Sequence, residues 1–288
     1  MSTTATTAVE PPVLEPGAQL APGLQVVELL SRGEALDVYE AFSADLLCSV
    51  IAKTVRPDRA DVERVRDRLL LEGELLQRFA HPHLPRSFAT ITGRVPVVVL
   101  ETIAGPTLEE IIDSRPRRLP ATDLAHLGRQ LCSATHYLHR QGYLHLDIRP
   151  ANVVARDGVA VLIDLSIARP PGPVRRGLGS REYLAPEQAL GLLVSAATDV
   201  WGIGATLFEA ATGAAPFAPL DASEEELSAA GVYLQSVRPA PAPSRLGRRL
   251  PAGMVTLIAD CLSPDPEQRP SVLAVHDRLG TFTAGLAI

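Results

Sequence analysis

The chain has 288 residues, of which 46% are apolar, and can therefore bury the core of one large domain or of two smaller ones. Its formal net charge of −6 argues against a general nucleic-acid binder or a membrane-surface binder. Because its three cysteines share no metal-ligand spacing and no apolar run approaches the roughly 20 residues of a membrane span, we expect a cytoplasmic protein with reduced thiols and neither nucleic-acid nor membrane partners.

The N-terminal part predicts a tail followed by strands. Residues 1–23 are rich in Thr, Ala and Pro and predict a disordered tail. Leu24 to Leu30 and Val38 to Phe42 predict two strands on either side of a polar turn. Leu47 to Val55 predicts a third strand, near whose end lies Lys53, the only lysine in the chain. Nearly all other basic residues are Arg, a bias that suits a high-GC coding background and predicts a bacterial protein.

A helix and two more strands follow, and then the character of the chain changes. Ala60 to Phe79 has helical apolar spacing and ends before a His-Pro pair, where proline disfavours continuation. Ser87 to Thr92 and Val95 to Glu101 predict strands. Beyond Gly105 the sequence predicts mainly helices, at Leu108 to Ile112, Asp123 to Gln141, Asp199 to Thr212, Glu224 to Val237, Met254 to Cys261 and Val272 to Leu279.

These elements predict an α+β, bilobal fold with a small β-rich lobe and a larger, mainly helical lobe, joined near Glu101 to Gly105. Two lobes with a hinge imply a cleft, where ligand sites are usually found.

The residues that carry chemistry are two aspartates and one asparagine in the second lobe, together with the lone lysine. Asp147 is followed five residues later by Asn152 in one loop, and a predicted strand then delivers Asp164. Phosphoryl transfer needs such a set, with a carboxylate to orient a hydroxyl and oxygen ligands for Mg²⁺. Lys53 is available to neutralise phosphate oxygens.

Motifs in this order resemble those of the Hanks-type (eukaryotic-like) Ser/Thr protein kinases, from about Leu24 to Leu279. The resemblance rests on Ile51-Ala52-Lys53, His145 to Asn152, Asp164-Leu165-Ser166, Ala185-Pro186-Glu187, Asp199 to Gly204, and Arg269. It implies a kinase domain over residues 24–280, with an N-lobe of about 24–103, a C-lobe of about 104–280 and a C-terminal tail at 281–288.

The resemblance also implies roles for individual residues. ATP and Mg²⁺ are the expected cofactors, and protein Ser/Thr hydroxyls are the expected substrates. Lys53 contacts the ATP phosphates and is held by its expected partner Glu72, which is preferred over the nearby Glu74; Asp147 is the base. The other implied roles are Arg149 beside the transferring phosphate; Asn152 and Asp164 on the metal; Ser31 and Gly33 in the phosphate loop; and Val38, Ala52, Val154, Leu100, Glu101 and Ile103 around the adenine.

The chain departs from the family at two places, the glycine-rich loop and the activation loop. In the glycine-rich loop only Gly33 survives, and Leu36 and Glu34 are expected to weaken ATP binding or slow transfer. Leu146 replaces the arginine that grips a phosphorylated activation loop in many kinases, and residues 167–179 contain no Ser, Thr or Tyr. We therefore expect activity that is constitutive or controlled by a regulatory protein partner.

Two alternatives to an active protein kinase remain open at this point. One is a pseudokinase that acts as a nucleotide-binding scaffold or allosteric partner, which the altered glycine-rich loop favours. The other is a small-molecule kinase, which Ala185-Pro186-Glu187 and the Asp199 helix disfavour because they resemble a protein-substrate platform.

Overall fold

The computed structural model describes residues 11–114 and 118–283 and divides the chain into two compact units. The first unit runs to Ala80 and resumes at Pro85–Thr102, and the second comprises His81–Leu84 and the chain from Ile103. The bilobal α+β expectation is confirmed. The predicted N-lobe of about 24–103 included residues 81–84, which belong to the second unit because His81 stacks on Tyr137 and the carbonyl of His83 accepts from the N–H of Leu162 at 2.9 Å.

The first unit is an antiparallel sheet of six strands with one helix. In chain order its elements are β1 (Gln19–Ala21), β2 (Leu24–Arg32), β3 (Leu36–Ser43), β4 (Cys48–Val55), α1 (Glu63–Arg78), β5 (Ser87–Ile91) and β6 (Val97–Leu100). The strand order is β1-β2-β3-β4-β6-β5. All four residues of β6 are buried, as expected for a strand covered on both faces.

Two details of this unit differ from the sequence-based expectation. Gln19–Ala21 was assigned to a disordered tail but forms β1, because it pairs with Leu24 and Gln25 of β2. Residues 1–10 of the predicted tail lie outside the described residues. The turn predicted at residues 31–37 is shorter, since β2 continues to Arg32 and β3 begins at Leu36.

The second unit contains the remaining helices, two short strand pairs and two isolated bridges within the described residues. Its elements are α2 (Leu108–Ser114), α3 (Ala121–Arg140), β7 (Val153–Arg156), β8 (Val159–Leu162), β9 (Gly172–Pro173), α4 (Pro186–Leu190), β10 (Leu193–Val194), α5 (Ala196–Thr212), α6 (Ala222–Ala229), α7 (Ala252–Cys261) and α8 (Val272–Gly280). Within the described ranges, no helix combines the length and apolar character that crossing a bilayer requires.

The helix predicted over Glu224 to Val237 was too long. The helix α6 ends at Ala229, and Gly231 follows with a φ of 85°, in the left-handed region that ends helices. A separate 3₁₀ turn covers Leu234–Ser236. The apolar spacing of the sequence continues past Gly231, but the helical conformation of the backbone does not.

Helix α5 organises the second unit because almost all of it is buried. Its N-terminus is capped by Ser195, whose side chain accepts from the N–H of Ala197. At Gly202 the helix passes so close to the loop before β7 that a Cβ atom would lie 2.9 Å from Cβ of Ile148. The absent side chain therefore lets the loop that carries Asp147 rest directly on α5.

A buried ion pair ties the C-terminal part of the second unit to α4. Arg269 donates to both carboxylate oxygens of Glu187, at 2.7 and 2.9 Å, and its guanidinium lies 5.0 Å from the centre of the Trp201 ring. Thr198 donates a further hydrogen bond to Glu187 at 2.8 Å. Both ionic groups are buried, so removal of one leaves the other charged and unpaired.

We expect Arg269→Ala to lower the free energy of unfolding by about 3–5 kcal/mol, because it strands the buried carboxylate of Glu187. Urea unfolding of the full chain with linear extrapolation measures this change. The matched control is Arg278→Ala, which removes a half-exposed pair with Asp260 and should cost only about 0.2–1 kcal/mol. Equal losses in the two variants would contradict the structural role of the Glu187 pair.

Candidate active site

The lone lysine of the first unit is paired with the expected glutamate. Nζ of Lys53, on β4, donates to Oε1 of Glu72, on α1, at 2.8 Å. The Glu72 side chain is fully buried, and that of Lys53 is 9% exposed. Glu74, the alternative, lies at the surface and faces Arg78 at 3.6 Å. The helix therefore presents Glu72, and not Glu74, to the sheet.

The turn between β2 and β3, which corresponds to the glycine-rich loop, is held by charged side chains. The N–H of Gly33 donates to the carbonyl of Leu36 at 2.8 Å and closes the turn. Behind it, Arg32 forms a bidentate pair with the buried Asp37, with both hydrogen bonds at 2.8 Å. Arg56 donates to the carbonyl of Gly33 at 3.0 Å. Ser31 pairs with Val38 across the ladder. The hairpin is therefore held by strand pairing, by the Arg32–Asp37 ion pair and by the hydrogen bond from Arg56.

In the first unit, the residues expected around the adenine lie on the strand of Lys53 and on, or directly after, the strands that pair with it. Val38 faces Lys53 across the β3–β4 ladder, Ala52 is buried in β4, and Leu100 ends β6. The N–H of Glu101 donates to the carbonyl of Arg86 at 2.9 Å, so a backbone hydrogen bond from Glu101 to a ligand must use its carbonyl. In the second unit, Ile103 precedes α2 and Val154 lies buried in β7.

The loop that carries Asp147 is anchored by a buried carboxylate on α5. Asp199 accepts hydrogen bonds from the N–H groups of His145 and Leu146, at 2.9 and 2.8 Å, and from Nε2 of His139 at 2.8 Å. Burial by itself would raise the pKa of Asp199, but the hydrogen bond and charge of His139, with smaller contributions from His145 and Leu146, lower it on balance. Asp199 thus stays ionised and holds the loop.

His145 connects the two acids of the site and was missed by sequence reasoning as a positioning residue. Its Nδ1 accepts from the N–H of Asp147 at 3.2 Å, and its Nε2 donates to the carbonyl of Ile163 at 3.2 Å. Since Ile163 directly precedes Asp164, one buried imidazole sets the spacing between the loop of Asp147 and the strand end of Asp164. Its place in the resembling motif was visible, but its hydrogen bonds were not.

The carboxylate of Asp147 is held on both oxygens. Oδ1 accepts from the N–H of Ser180 at 3.0 Å, and Oδ2 accepts from Nδ2 of Asn152 at 3.0 Å. Arg149 lies beside it, with Nε 3.7 Å from Oδ2. Nε of Arg149 is buried and makes no hydrogen bond within the described residues. The arrangement places a fixed carboxylate next to an available cation, as a proton acceptor beside a phosphate requires.

The residues expected to hold Mg²⁺ are brought close through the backbone. The N–H of Ile163 donates to the carbonyl of Asn152 at 2.9 Å, and the next residue, Asp164, has a φ of 70°. Asp164 accepts from the N–H of Ser166 at 3.0 Å through Oδ1. Because Nδ2 of Asn152 points to Asp147, its amide oxygen is turned away from that carboxylate.

This donor set fits magnesium. Carboxylate and amide oxygens are the ligands Mg²⁺ prefers, and it usually takes few protein ligands together with substrate phosphates. Within the described residues, no group of three or more His, Cys, Asp or Glu side chains is placed to hold a metal ion.

The activation segment, residues 164–187, is packed by apolar side chains. Leu146, at the place of the family arginine, has a φ of 67° and packs with Leu144, Val174, Leu178 and Val194 in one buried cluster. Strand β9 in this segment pairs with β10, and Leu144 exchanges two backbone hydrogen bonds with Arg169. The segment is thus held by packing and backbone pairing.

Two further contacts of this segment were not foreseen from the sequence. Gln188 donates to the carbonyls of Leu146 and Leu178, at 2.8 and 2.9 Å, and so joins the loop to the segment. Tyr183 donates to Oε2 of Glu209 on α5 at 2.5 Å. Burial, followed by the charge of Glu209, raises the pKa of the Tyr183 hydroxyl, which remains protonated and available to donate.

Comparisons with known proteins agree with this geometry. Residues 24–278 match the family described as "Protein kinase domain". The serine/threonine-protein kinase PksC of Streptomyces coelicolor is 31% identical over 279 residues, which cover 91% of this chain and 49% of that protein. PknD of Mycobacterium tuberculosis is 31% identical, covering 92% of this chain and 41% of PknD, and PknB is 28% identical, covering 88% and 41%. The chain therefore spans less than half the length of these relatives.

We expect Asp199→Asn to lower the free energy of unfolding by about 1–3 kcal/mol at neutral pH, since an amide nitrogen cannot accept from a buried N–H. The pKa of Asp199 in the folded chain is below its ordinary value of 3.8, so the stabilisation is present above that value and is lost as the pH falls through the lower, folded pKa. The deficit of the variant should shrink in strong acid.

Unfolding in urea at neutral pH and again below about pH 4 tests this dependence. The exposed Asp277→Asn serves as the control and should change stability little at either pH. A deficit in Asp199→Asn that stays constant into strong acid would show that the lost charge is not its cause.

Proposed function

We propose that this chain, which belongs to the protein kinase domain family, transfers the γ-phosphate of ATP to Ser or Thr hydroxyls of proteins. The observation that carries the proposal is the carboxylate of Asp147, which is held by Asn152 and by the backbone of Ser180, with the guanidinium of Arg149 beside it at 3.7 Å. The similarity to serine/threonine-protein kinases from Streptomyces and Mycobacterium supports the same substrate class. The partial coverage of those relatives leaves the individual protein substrate open.

In this proposal Asp147 orients the substrate hydroxyl and accepts its proton while the hydroxyl oxygen attacks the γ-phosphorus. Its two hydrogen bonds fix the carboxylate plane, so the hydroxyl meets one orientation of the base. Arg149 contributes positive charge where negative charge grows on the transferred group. Its guanidinium takes the place of the usual lysine and can donate through more than one nitrogen.

Mg²⁺ would shield the phosphate charges when it is bound. Asn152 and Asp164 supply the oxygens for it, and the hydrogen bonds to Asp147 and Ser166 keep both side chains oriented. Lys53, kept in position by Glu72, contributes a single ammonium toward the α- and β-phosphates. In the first unit, Val38 and Ala52 are proposed apolar contacts of the adenine.

We further propose that activity does not depend on phosphorylation of the activation segment. Packing of Leu146 against Val174 and Leu178 supports this, because an apolar cluster occupies the place of the phosphate-binding arginine. The hydrogen bonds from Gln188 and the pairing of β9 with β10 order the same segment without added charge. Control would then fall to another event, such as binding of a regulatory protein.

The second candidate function is a pseudokinase that binds nucleotide without transfer. The turn Gly33–Leu36 favours it, since Leu36 replaces a glycine that lets backbone amides approach phosphate, Glu34 adds negative charge nearby, and Arg56 and Arg32 fix the hairpin. Metal-dependent transfer separates the two candidates, because a scaffold can bind without Mg²⁺ whereas transfer needs it.

We expect Asp147→Asn to lower the rate of phosphate transfer by roughly 10²–10⁴-fold, because an amide cannot accept the proton. The assay follows labelled phosphate from ATP and Mg²⁺ to the chain itself and to a generic basic protein. Asp157→Asn is the matched control, since Asp157 is an exposed turn residue with a φ of 49° that asparagine also adopts. Nucleotide binding without transfer in the wild type would favour the pseudokinase.

Removal of all phosphate from the purified chain should leave its initial rate unchanged, since packing and not phosphate orders the activation segment. Phosphatase treatment, with intact mass to establish complete removal, precedes the transfer assay. A rate that falls after treatment, and recovers when Ser166 or Ser180 is phosphorylated again, would contradict the proposal.

A further inference from the structure

The first unit contains a pocket to which neither Lys53 nor Glu72 contributes. Its volume is about 740 Å³, and four arginines line it. This arginine pocket is formed by Arg32, Arg56, Arg59 and Arg64, by the turn residues Gly33–Ala35, and by Val62 and Val65 near the start of α1.

Two of these arginines form the fixed wall of the pocket. Arg32 is held by its bidentate pair with Asp37. Arg56 forms hydrogen bonds to both oxygens of Asp58, each at 3.1 Å, and to the carbonyl of Gly33. Their side chains are only 16% and 7% exposed, so these guanidinium groups have little freedom to move.

The other two arginines are available to a ligand. The side chain of Arg59 is 51% exposed, and its closest carboxylate contact, to Asp58, is long at 3.8 Å. Arg64 is exposed and makes no hydrogen bond or ion pair with any residue in the described ranges. The pocket therefore combines two rigid cations with two that can close on an anion.

The start of α1 adds to the positive potential. Val62 occupies the N-cap and offers no side-chain hydrogen bond to the first-turn N–H groups, which carry partial positive charge. Two exposed carboxylates, Glu34 in the turn and Glu63 in the first turn of α1, oppose this field, and Asp37 and Asp58 are engaged by the wall arginines. The arginines and the helix N-terminus attract an anion, whereas Glu34 and Glu63 repel one. A compact dianion that several guanidinium groups can surround fits this charge distribution better than an extended acidic chain does.

We propose that the arginine pocket binds a phosphate dianion, free or esterified. The bound phosphate lies between the wall arginines Arg32 and Arg56, which contact the turn at Gly33, and the two available arginines near the start of α1. It so ties that turn to α1, the helix that carries Glu72. Anion binding in this pocket therefore stabilises the position of α1 that pairs Glu72 with Lys53. The inference needs no transferase activity, so its failure is distinguishable from failure of the proposed kinase function.

The test is a titration of the full chain with inorganic phosphate at constant ionic strength, followed by calorimetry, at about pH 7.5 where phosphate is mainly doubly charged. Arg59→Gln/Arg64→Gln removes the two available cations and should weaken binding about tenfold or more. Arg78→Gln/Arg86→Gln, which removes two exposed arginines elsewhere in the same unit, has the same charge change and should bind like the wild type.

The proposal is overturned if the wild type does not bind, or if Arg59→Gln/Arg64→Gln binds equally well. Phosphothreonine as a second probe distinguishes the sources, since tighter binding than inorganic phosphate assigns an esterified ligand and weaker binding assigns the free anion.

Amide hydrogen exchange reports the proposed tie to α1. Phosphate should slow exchange of the N–H groups in the first turns of α1 in the wild type and not in Arg59→Gln/Arg64→Gln. Unchanged exchange in a wild-type chain that binds phosphate would overturn the link between the pocket and the helix.

Discussion

A carboxylate that is fully buried must collect hydrogen bonds, and Asp199 collects them from the loop that carries the proposed base. Through His145 and Leu146 it fixes the backbone of that loop, and the imidazole of His145 extends the constraint to the residue before Asp164. The site of the second unit thus depends on one anionic group on α5. The position of the loop with the proposed base is therefore set by a charged group in the interior of the unit.

In the proposed function, apolar packing of the activation segment takes the role that an arginine and a phosphate have in many kinases. Leu146 has a left-handed backbone conformation, its N–H donates to Asp199, and its side chain packs in the cluster with Val174 and Leu178. A packed cluster is permanent, whereas a phosphate is added and removed. On this proposal, the exchange of one for the other replaces a switchable contact with a constitutive one.

The sequence predicted most elements and the identity of the lysine–glutamate pair, because these depend on local periodicity and on well-spaced motifs. It missed β1, since a three-residue strand is defined by its pairing with β2 and not by its own pattern. It extended α6 too far, since Gly231 ends the helix while the apolar spacing continues. The backbone N–H of Ser180 that holds Asp147 was not predictable, because a backbone contact leaves no trace in side-chain types.

The lone lysine has a consequence outside catalysis. Lys53 carries the only ε-amino group in the chain, and folding buries it against Glu72. Acylation, or conjugation of a degradation tag through a lysine, therefore finds this acceptor withdrawn from solvent while the first unit is folded. Opening of the Lys53–Glu72 region exposes this amine to solvent. A lysine-directed modification therefore acts selectively on chains in which the first unit has unfolded.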